Sequence, residues 1–418
     1  MARTQAGLPA GTRITDYISL GVIAGTFPPA LVQELLAQTG KASQRQRDLP
    51  AHVMVYYAIA MALYLQSSCR EVLRCLLEGV RWLAGPAAHL KVAGRAGIAQ
   101  ARARLGSEPL RQLHDRVVRP IAVSEGPHPT RGARYRHWQA ISLDGSTLDV
   151  ADTAENVAAF GKPKASRGQR AYPQLRFVSL VENGTHVLFG TQLAGQRTSE
   201  AVLCDQLLPH LKSGMLVLAD RNFFSYRRWQ AAHATGADLL WRAKKNLILP
   251  GLKRLPDGSY LSKIYPTLKD RRHDTRGVAV RVIEYTLPAV PEAEPGYRLI
   301  TTILDPEAAP AAELAAQYHE RWEIEHAFDE LKTHLRGRQL ILRSKTPDLV
   351  KQEFFGLLLA HFAIRGLMHE AALQADEDPD RLSFLHAVRV IRRKLPACAA
   401  LSPSAPAVLP CGRARGNP

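Results

Sequence analysis

"HWQAISLDGSTLDV" (His137–Val150) marks the point in this 418-residue chain where the apolar pattern changes from helical spacing to the pattern of strands. "QLRFVSLVENGTHVLFGTQLAG" follows as two strands joined at Asn183-Gly184, a strong hairpin signal. Next come a helix opened by Thr198-Ser199, a short apolar strand, "MLVLADRNF", and a helix that ends in glycine. Three strands followed by helix, strand and helix predict an α/β layer with a mixed sheet.

The segments on either side complete a predicted domain organisation. Two short helices near Arg102 carry a basic edge that suits a DNA-binding unit and suits a plain helical bundle equally well. The C-terminal Pro/Ala-rich tail has the composition of a disordered segment. The predicted units are an all-α N-terminal domain (1–124), a linker (125–136), an α/β core (137–236 and 306–375), a β-rich insertion (237–305), and a basic helix with the tail (376–418).

The bulk composition favours an anionic partner. The net charge is +17 and the sequence pI is about 9.9, which indicates nucleic acid or an acidic membrane surface, with a merely basic enzyme as the alternative. The five cysteines show no CxxC spacing, which argues against a disulfide framework or a zinc site and for a reducing cytoplasm. The longest apolar run, Val53–Leu65, is shorter than the roughly 20 residues of a membrane helix. We therefore expect no membrane association and favour nucleic acid.

Two aspartates follow apolar strands. Asp144 ends "AISL" and Asp220 ends "MLVLA". Side chains at the carboxyl ends of strands in an open α/β sheet face the crevice that binds ligands. Two such acids repel each other unless a cation or a proton lies between them. The alternative is that both are ordinary turn or helix-capping aspartates.

"YHERWEIEHAFDELK" (Tyr318–Lys332) carries a second set of polar residues on a predicted helix. At about 100° per residue, Tyr318, Arg321, Glu325 and Lys332 fall within an arc of roughly 60°. A solvated helix held by i,i+4 ion pairs is the alternative. A neighbouring apolar stripe, predicted to be buried, consists of Ile324, Ala327, Phe328 and Leu331.

Carboxylates from three segments can together serve phosphoryl chemistry. Asp144, Asp220 and Glu325 could hold two divalent cations about 3.5–4 Å apart, one activating water or a 3′-hydroxyl and the other stabilising the leaving oxygen. Oxygen-only ligation suits Mg²⁺ or Mn²⁺ rather than zinc. The tyrosine, arginine and lysine of the helix would then contact phosphates beside the metals.

The spacing Y-x2-R-x3-E-x6-K is the YREK motif of bacterial cut-and-paste insertion-element transposases. The chain resembles the insertion-sequence-four family of DDE transposases over about residues 15–375. Four further segments carry this resemblance: "DLPAHVMVYYAIAMALYLQSSCREVL", "LDGSTLDVADTAENVAAFG", "MLVLADRNFFSY" and "LRSKTPDLVKQEFFGLLLAHFAIRGLM".

The resemblance implies a ribonuclease-H-like core with a β insertion between the second aspartate and the glutamate. It implies that Asp144, Asp220 and Glu325 bind two Mg²⁺ ions per active site, with Mn²⁺ able to substitute. It also implies a DNA transposase that acts as a homodimer on terminal inverted repeats of double-stranded DNA, often through hairpin ends, in the bacterial cytoplasm at the nucleoid. A catalytically silent DNA-binding relative and a nuclease on the same core are the alternatives.

Other residues are weaker candidates for DNA contact. In some relatives an aromatic residue of the insertion stacks on a flipped base, a role open to Trp241, Tyr285 or Tyr297, although burial in the core is favoured for each. Lys244 suits a phosphate-lined edge or a merely solvated one. Arg221 could brace the metal site or contact the DNA, and bracing is favoured.

Overall fold

A mixed sheet of ten strands forms the centre of the chain. The computed structural model describes residues 23–45, 49–64, 67–84, 93–126, 128–163, 172–286, 296–335 and 341–393. The strands are β1 (Arg134–Tyr135), β2 (Trp138–Asp149), β3 (Gln174–Glu182), β4 (Val187–Gly195), β5 (Met215–Ala219), β6 (Asp238–Arg242), β7 (Lys253–Arg254), β8 (Tyr260–Ile264), β9 (Val278–Tyr285) and β10 (Tyr297–Thr301). Their order is β4-β3-β2-β5-β6-β10-β9-β8-β7, with β1 paired to β2.

Thirteen helices bounded within the described residues accompany this sheet. The N-terminal and central ones are α1 (Pro29–Gln38), α2 (Ala51–Leu63), α3 (Cys69–Ala84), α4 (Arg95–Leu105), α5 (Glu108–Val117), α6 (Ala154–Phe160), α7 (Glu200–Leu207) and α8 (Tyr226–His233). The later ones are α9 (Leu268–Arg272), α10 (Ala311–His319), α11 (Glu323–Asp329), α12 (Pro347–Ala375) and α13 (Phe384–Arg393).

The first five long strands have the ribonuclease-H-like arrangement. β2, β3 and β4 form an antiparallel meander, and β5 and β6 add to β2 as parallel strands. Helices α7 and α8 make the two crossovers, as parallel neighbours require. The predicted α/β class with a mixed sheet is confirmed.

The β3–β4 turn depends on Gly184. Its φ is +76°, and a side chain there would place Cβ 2.5 Å from the carbonyl oxygen of Arg131. Only glycine allows both this conformation and this approach of the linker. The Asn183-Gly184 signal therefore marks a real turn, with the linker packed on it.

The insertion continues the core sheet. Strand β10 pairs antiparallel with β6, and β9, β8 and β7 extend the sheet beyond it. Strand β6 lies within the range 237–305 assigned to the insertion, yet it pairs in parallel with β5 and is the fifth strand of the core. The short apolar run that forms β6 does not indicate which strand it pairs with, so the sequence could not distinguish a core strand from an inserted one.

The N-terminal helices share a core with the catalytic part. Residues Val53–Leu63 of α2 are all buried, and α2 packs on α12. The two helices cross so closely that a Cβ on Gly356 would lie 2.4 Å from the carbonyl oxygen of Ala58. The predicted basic C-terminal helix corresponds to α13, and the predicted disordered tail lies outside the described residues. Among the described residues, no helix has both the length and the apolarity needed to cross a membrane.

Gly356→Ala is expected to lower the free energy of unfolding by about 3 kcal/mol, because backbone atoms must move to admit the methyl group. The matched control is Gly366→Ala on the same helix, where a Cβ meets nothing within 4 Å. Alanine there should be neutral or stabilise by up to about 1 kcal/mol through its higher helix propensity. Chemical denaturation of both variants checks this, and equal stability would contradict the close crossing.

Candidate active site

The register of two parallel strands brings Asp144 and Asp220 together. Leu143 of β2 pairs with Ala219 of β5, so the next residues on each strand are neighbours. Adjacent strands lie about 4.8 Å apart. Asp144 accepts a hydrogen bond from the backbone N–H of Gly145 at 2.8 Å, and Asp220 leaves its strand in extended conformation. Both aspartates therefore lie where the parallel pairing of β2 and β5 ends, at the carboxyl end of β5, while β2 itself continues to Asp149.

The segment that carries the YREK residues is not one regular α-helix. Tyr318 ends α10, Arg321 lies in a 3₁₀ turn (Glu320–Trp322), Glu325 lies in α11, and Lys332 lies in a π-helical turn (Glu330–Leu335). The 3₁₀ turn is tighter and the π turn wider than an α-helix, so the predicted arc at a constant 100° per residue is wrong. The predicted apolar stripe is confirmed, since Ile324, Ala327, Phe328 and Leu331 are all buried.

Arg321 joins this helical segment to β2. Its Nη1 donates to Asp144 Oδ2 at 2.9 Å, and the residue is only 8 % exposed. Burial would lower the pKa of Arg321, but Tyr318 and the charges of Asp144, Asp220 and Glu325 raise it. The three predicted acids therefore all lie within electrostatic range of one arginine, which bonds to Asp144.

The carboxylates lie in a crowded, partly desolvated setting. Burial raises the pKa of Asp144, and the neighbouring charge of Asp220 adds to this, while Gly145 and Arg321 oppose it. Burial also raises the pKa of Glu325, with a further contribution from Asp144 and opposition led by Arg321. A divalent cation would stabilise the ionised form of such a group of acids. An all-oxygen donor set of this kind fits Mg²⁺ or Mn²⁺.

The carboxylate oxygens of Asp144, Asp220 and Glu325 do not all lie within 4.8 Å of one another. Among the described residues, three potential metal-ligand atoms come within 4.8 Å of one another in a different group, which consists of His186, Glu323 and Asp380. The positive charge beside Asp144 is the Arg321 guanidinium.

Tyr318 supports the site from within. It is 6 % exposed, and its hydroxyl donates to the carbonyl oxygen of Ala219, the residue before Asp220, at 3.4 Å. Burial raises its pKa well above the usual value. Its hydroxyl therefore faces the end of β5, and the predicted phosphate contact does not match this placement.

Two weaker candidates lie inside the protein, which corrects their predicted contact with DNA. Trp241 is fully buried and packs edge-on against Trp229, with ring centroids 5.4 Å apart. Arg102 is 7 % exposed and donates to Gln352 Oε1 at 2.8 Å and to Ser344 Oγ at 2.9 Å. These partners are distant in sequence, so helical periodicity could not reveal that the arginine is internal.

The other two aromatic candidates form a pair. Tyr285 and Tyr297 face each other across β9 and β10, with stacked rings 5.2 Å apart. The guanidinium of Arg242 lies over the Tyr297 ring at 4.5 Å. Both tyrosines are partly buried, so the rings serve packing at the junction of core and insertion.

Three basic residues stay accessible near the acids. Lys244 is exposed and follows the carboxyl end of β6, the neighbour of β5. Arg221 is half-buried directly after Asp220. Lys332 is half-buried, and its charge lowers the pKa of Glu325. Lys244 and Arg221 thus follow the carboxyl ends of neighbouring strands, and Lys332 lies within electrostatic range of Glu325.

Glu200 is a fourth acid that the sequence did not reveal. Burial raises the pKa of Glu200, and the charge of Asp144 adds to this against the effect of Arg176. A Cβ on Gly145 would lie 3.0 Å from the Glu200 side chain. In the sequence, Glu200 follows the N-cap Ser199 and looks like a routine first-turn acid.

Two family models match the chain. Residues 17–115 match the family described as insertion element 4 transposase N-terminal, and residues 139–363 match the transposase DDE domain. The chain is 29 % identical to the transposase InsG for insertion sequence element IS4 of Escherichia coli K12, over 94 % of this chain and 84 % of that protein. It is 24 % identical to the putative transposase InsZ of the same organism, over 57 % of this chain and 73 % of that protein.

Among solved structures, the piggyBac transposase synaptic complex with hairpin DNA covers 91 % of this chain and 81 % of its own, with a TM-score of 0.46 and 10 % identity. The family assignment comes from the sequence matches, since the DDE domain alone spans more than half of the chain. The chain belongs to the insertion-element-4 family of DDE transposases and is a DNA transposase.

Proposed function

We propose that this transposase cleaves DNA at the terminal inverted repeats of its element and joins the released ends to target DNA, using Mg²⁺. The observation that carries the proposal is that Asp144 and Asp220 are neighbours at the carboxyl end of β5, and that Arg321, which bonds to Asp144, lies within electrostatic range of Asp220 and Glu325. Open α/β sheets bind their ligands at such strand ends.

The residues divide into two roles. Asp144, Asp220 and Glu325 would hold the metal, which when bound activates the attacking oxygen and stabilises the leaving oxygen of a phosphodiester. Arg321 orients the Asp144 carboxylate through its 2.9 Å contact. Lys332 would bind a phosphate beside the acids, and Arg221 would brace the metal site or contact the DNA.

The partner is double-stranded DNA. The net charge of +17 supports attraction to a polyanion. We further propose that two copies of the chain assemble with the two ends of the element, that the ends pass through a hairpin form, and that the enzyme works at the bacterial nucleoid. Mn²⁺ is expected to substitute for Mg²⁺.

A plasmid carrying both ends of the element tests this proposal. With Mg²⁺ we expect excision, joined products in a second plasmid, and end fragments that migrate as hairpins on a denaturing gel. Cleavage without joining would favour a nuclease. Retention of the ends in a binding assay, with no metal-dependent product, would favour a catalytically silent DNA-binding protein.

Lys244→Ala should weaken binding to the ends and reduce the slope of log K against log salt by about 0.9, the value of one phosphate contact on duplex DNA. The matched control is Lys212→Ala, because Lys212 is also exposed but precedes the amino end of β5, at the opposite edge of the sheet. Binding measured over a salt series checks this. An identical slope in both variants would place the DNA elsewhere.

A further inference from the structure

We propose a second divalent metal site, separate from the catalytic acids, formed by His186, Glu323 and Asp380. It would take one transition-metal ion such as Zn²⁺ or Mn²⁺. Its role would be structural, because it would fasten the β3–β4 turn and the C-terminal segment to the helix that carries Glu325.

The ligand atoms already converge. His186 Nε2 lies 3.1 Å from Asp380 Oδ1 and 3.9 Å from Glu323 Oε2. One ligand atom from each residue lies within 4.8 Å of the other two. His186 is 5 % exposed, and its Nε2 has no partner in hydrogen-bond geometry. A buried imidazole nitrogen thus lies close to two carboxylates without an aligned hydrogen bond to either.

The tautomer of His186 decides whether that nitrogen can bind a cation. Nδ1 lies 3.1 Å from Glu330 Oε1 and also contacts the Arg365 guanidinium. If Nδ1 accepted a hydrogen bond from Arg365, the proton on Nε2 would have no acceptor in hydrogen-bond geometry. If Nδ1–H donates to Glu330 instead, the Nε2 lone pair is free. A carboxylate behind the second nitrogen is the usual support of a metal-binding histidine.

A divalent ion would replace protons in this group. Against burial and the charge of Arg365, the neighbouring Asp380 and Glu330 carboxylates raise the pKa of His186 to about 9, and burial raises the pKa of Glu323 to about 8. Once those protons are released, Glu323, Glu330 and Asp380 contribute three negative charges and Arg365, which pairs with Glu330, one positive charge, and the net charge of −2 is balanced by one divalent cation. Glu330 is also held by His361 Nε2 at 3.0 Å, so the support behind His186 is itself fixed.

The donor set and the access route indicate the type of ion. One imidazole nitrogen and two carboxylate oxygens suit Zn²⁺ or Mn²⁺ better than Mg²⁺, which prefers oxygen and water. The Asp380 side chain is 31 % exposed, so an ion can enter from solvent.

The location of the site indicates its effect. Glu323 precedes Glu325 by two residues on α11, and its Oε2 also accepts from the backbone N–H of Gly184. Asp380 lies in the 3₁₀ turn Pro379–Arg381, and His186 ends the β3–β4 turn. The ion would join these segments behind the active site.

The test uses the full chain carrying Asp144→Asn and Glu325→Gln, so that the catalytic acids no longer contribute strong metal binding. Titration calorimetry with Zn²⁺ should give one ion per chain, accompanied by a higher Tm. Co²⁺ in its place should give visible absorption bands typical of a nitrogen- and oxygen-bound ion. Adding Asp380→Asn should weaken Zn²⁺ binding at least about 100-fold and abolish the rise in Tm.

Glu377→Gln is the control, since Glu377 is an exposed acid of the same segment that pairs with Arg381. It should leave Zn²⁺ binding and the rise in Tm unchanged. No stoichiometric ion in the parent chain, or equal binding in the Asp380→Asn and Glu377→Gln chains, would overturn the proposal and leave an ion pair between His186 and its carboxylates. The result does not depend on DNA cleavage, so it stands apart from the proposed function.

Discussion

A chain in which Glu325 is replaced by glutamine is expected to lose Mg²⁺-dependent cleavage by about three orders of magnitude, because one metal ligand and its charge are gone. Binding to the transposon ends should change little, since Glu325 is an acid and offers no attraction to phosphate. Cleavage rates under single-turnover conditions and a binding assay on the same DNA separate the two effects.

The control for this substitution is Glu34→Gln. Glu34 is an exposed glutamate of α1 that pairs with Arg116, distant in sequence from the catalytic acids. It should cleave at the rate of the unmodified chain. Equal loss in both variants, or no loss in Glu325→Gln, would remove Glu325 from the catalytic site.

Glu330→Gln is expected to lower the free energy of unfolding by about 3–5 kcal/mol, the usual cost of leaving a buried charge without its partner. Glu330 is buried between Arg365, His361 and His186, with Arg365 Nε at 2.8 Å. Although burial alone would raise it, the pKa of Glu330 is held well below its usual value by these neighbours, led by Arg365. Urea denaturation measures the loss.

The comparison for Glu330 is its neighbour Asp329. Asp329 is exposed, so Asp329→Asn should change stability by no more than about 0.5 kcal/mol. A loss of less than about 1 kcal/mol in the free energy of unfolding of Glu330→Gln would contradict this role. The contacts of Glu330 with His361 and Arg365 would then not stabilise the packing of the segment that carries Glu325 and Glu330 on α12.

The parts of this fold that could be predicted depend on local patterns. Strand alternation, the Asn183-Gly184 turn and the apolar run before Asp220 are each contained in a few consecutive residues, and they were sufficient for the α/β class. The two aspartates could be found because each directly follows a short apolar run, although Asp144 lies within β2, which continues to Asp149, and only Asp220 follows the end of its strand.

What could not be predicted depends on partners far along the chain. The predicted DNA contacts of Arg102 and Trp241 are wrong because both side chains are buried. That burial depends on residues far along the chain, such as Gln352 for Arg102, which local spacing does not record. Glu200 and His186 belong to polar groups assembled from separate segments. The changes of helical winding around Arg321 and Lys332 depend on tertiary packing, which residue spacing does not record.

The contact between Gly356 and Ala58 limits how the protein can be divided for experiments. Helix α12 is lined by apolar residues along most of its length, and α2 covers part of that surface. A truncated protein that started at the linker would expose the apolar surface of α12 that α2 covers, both to water and to other copies of the protein. Attempts to express the catalytic half alone should yield insoluble material, whereas adding the N-terminal helices back as a separate polypeptide should restore solubility.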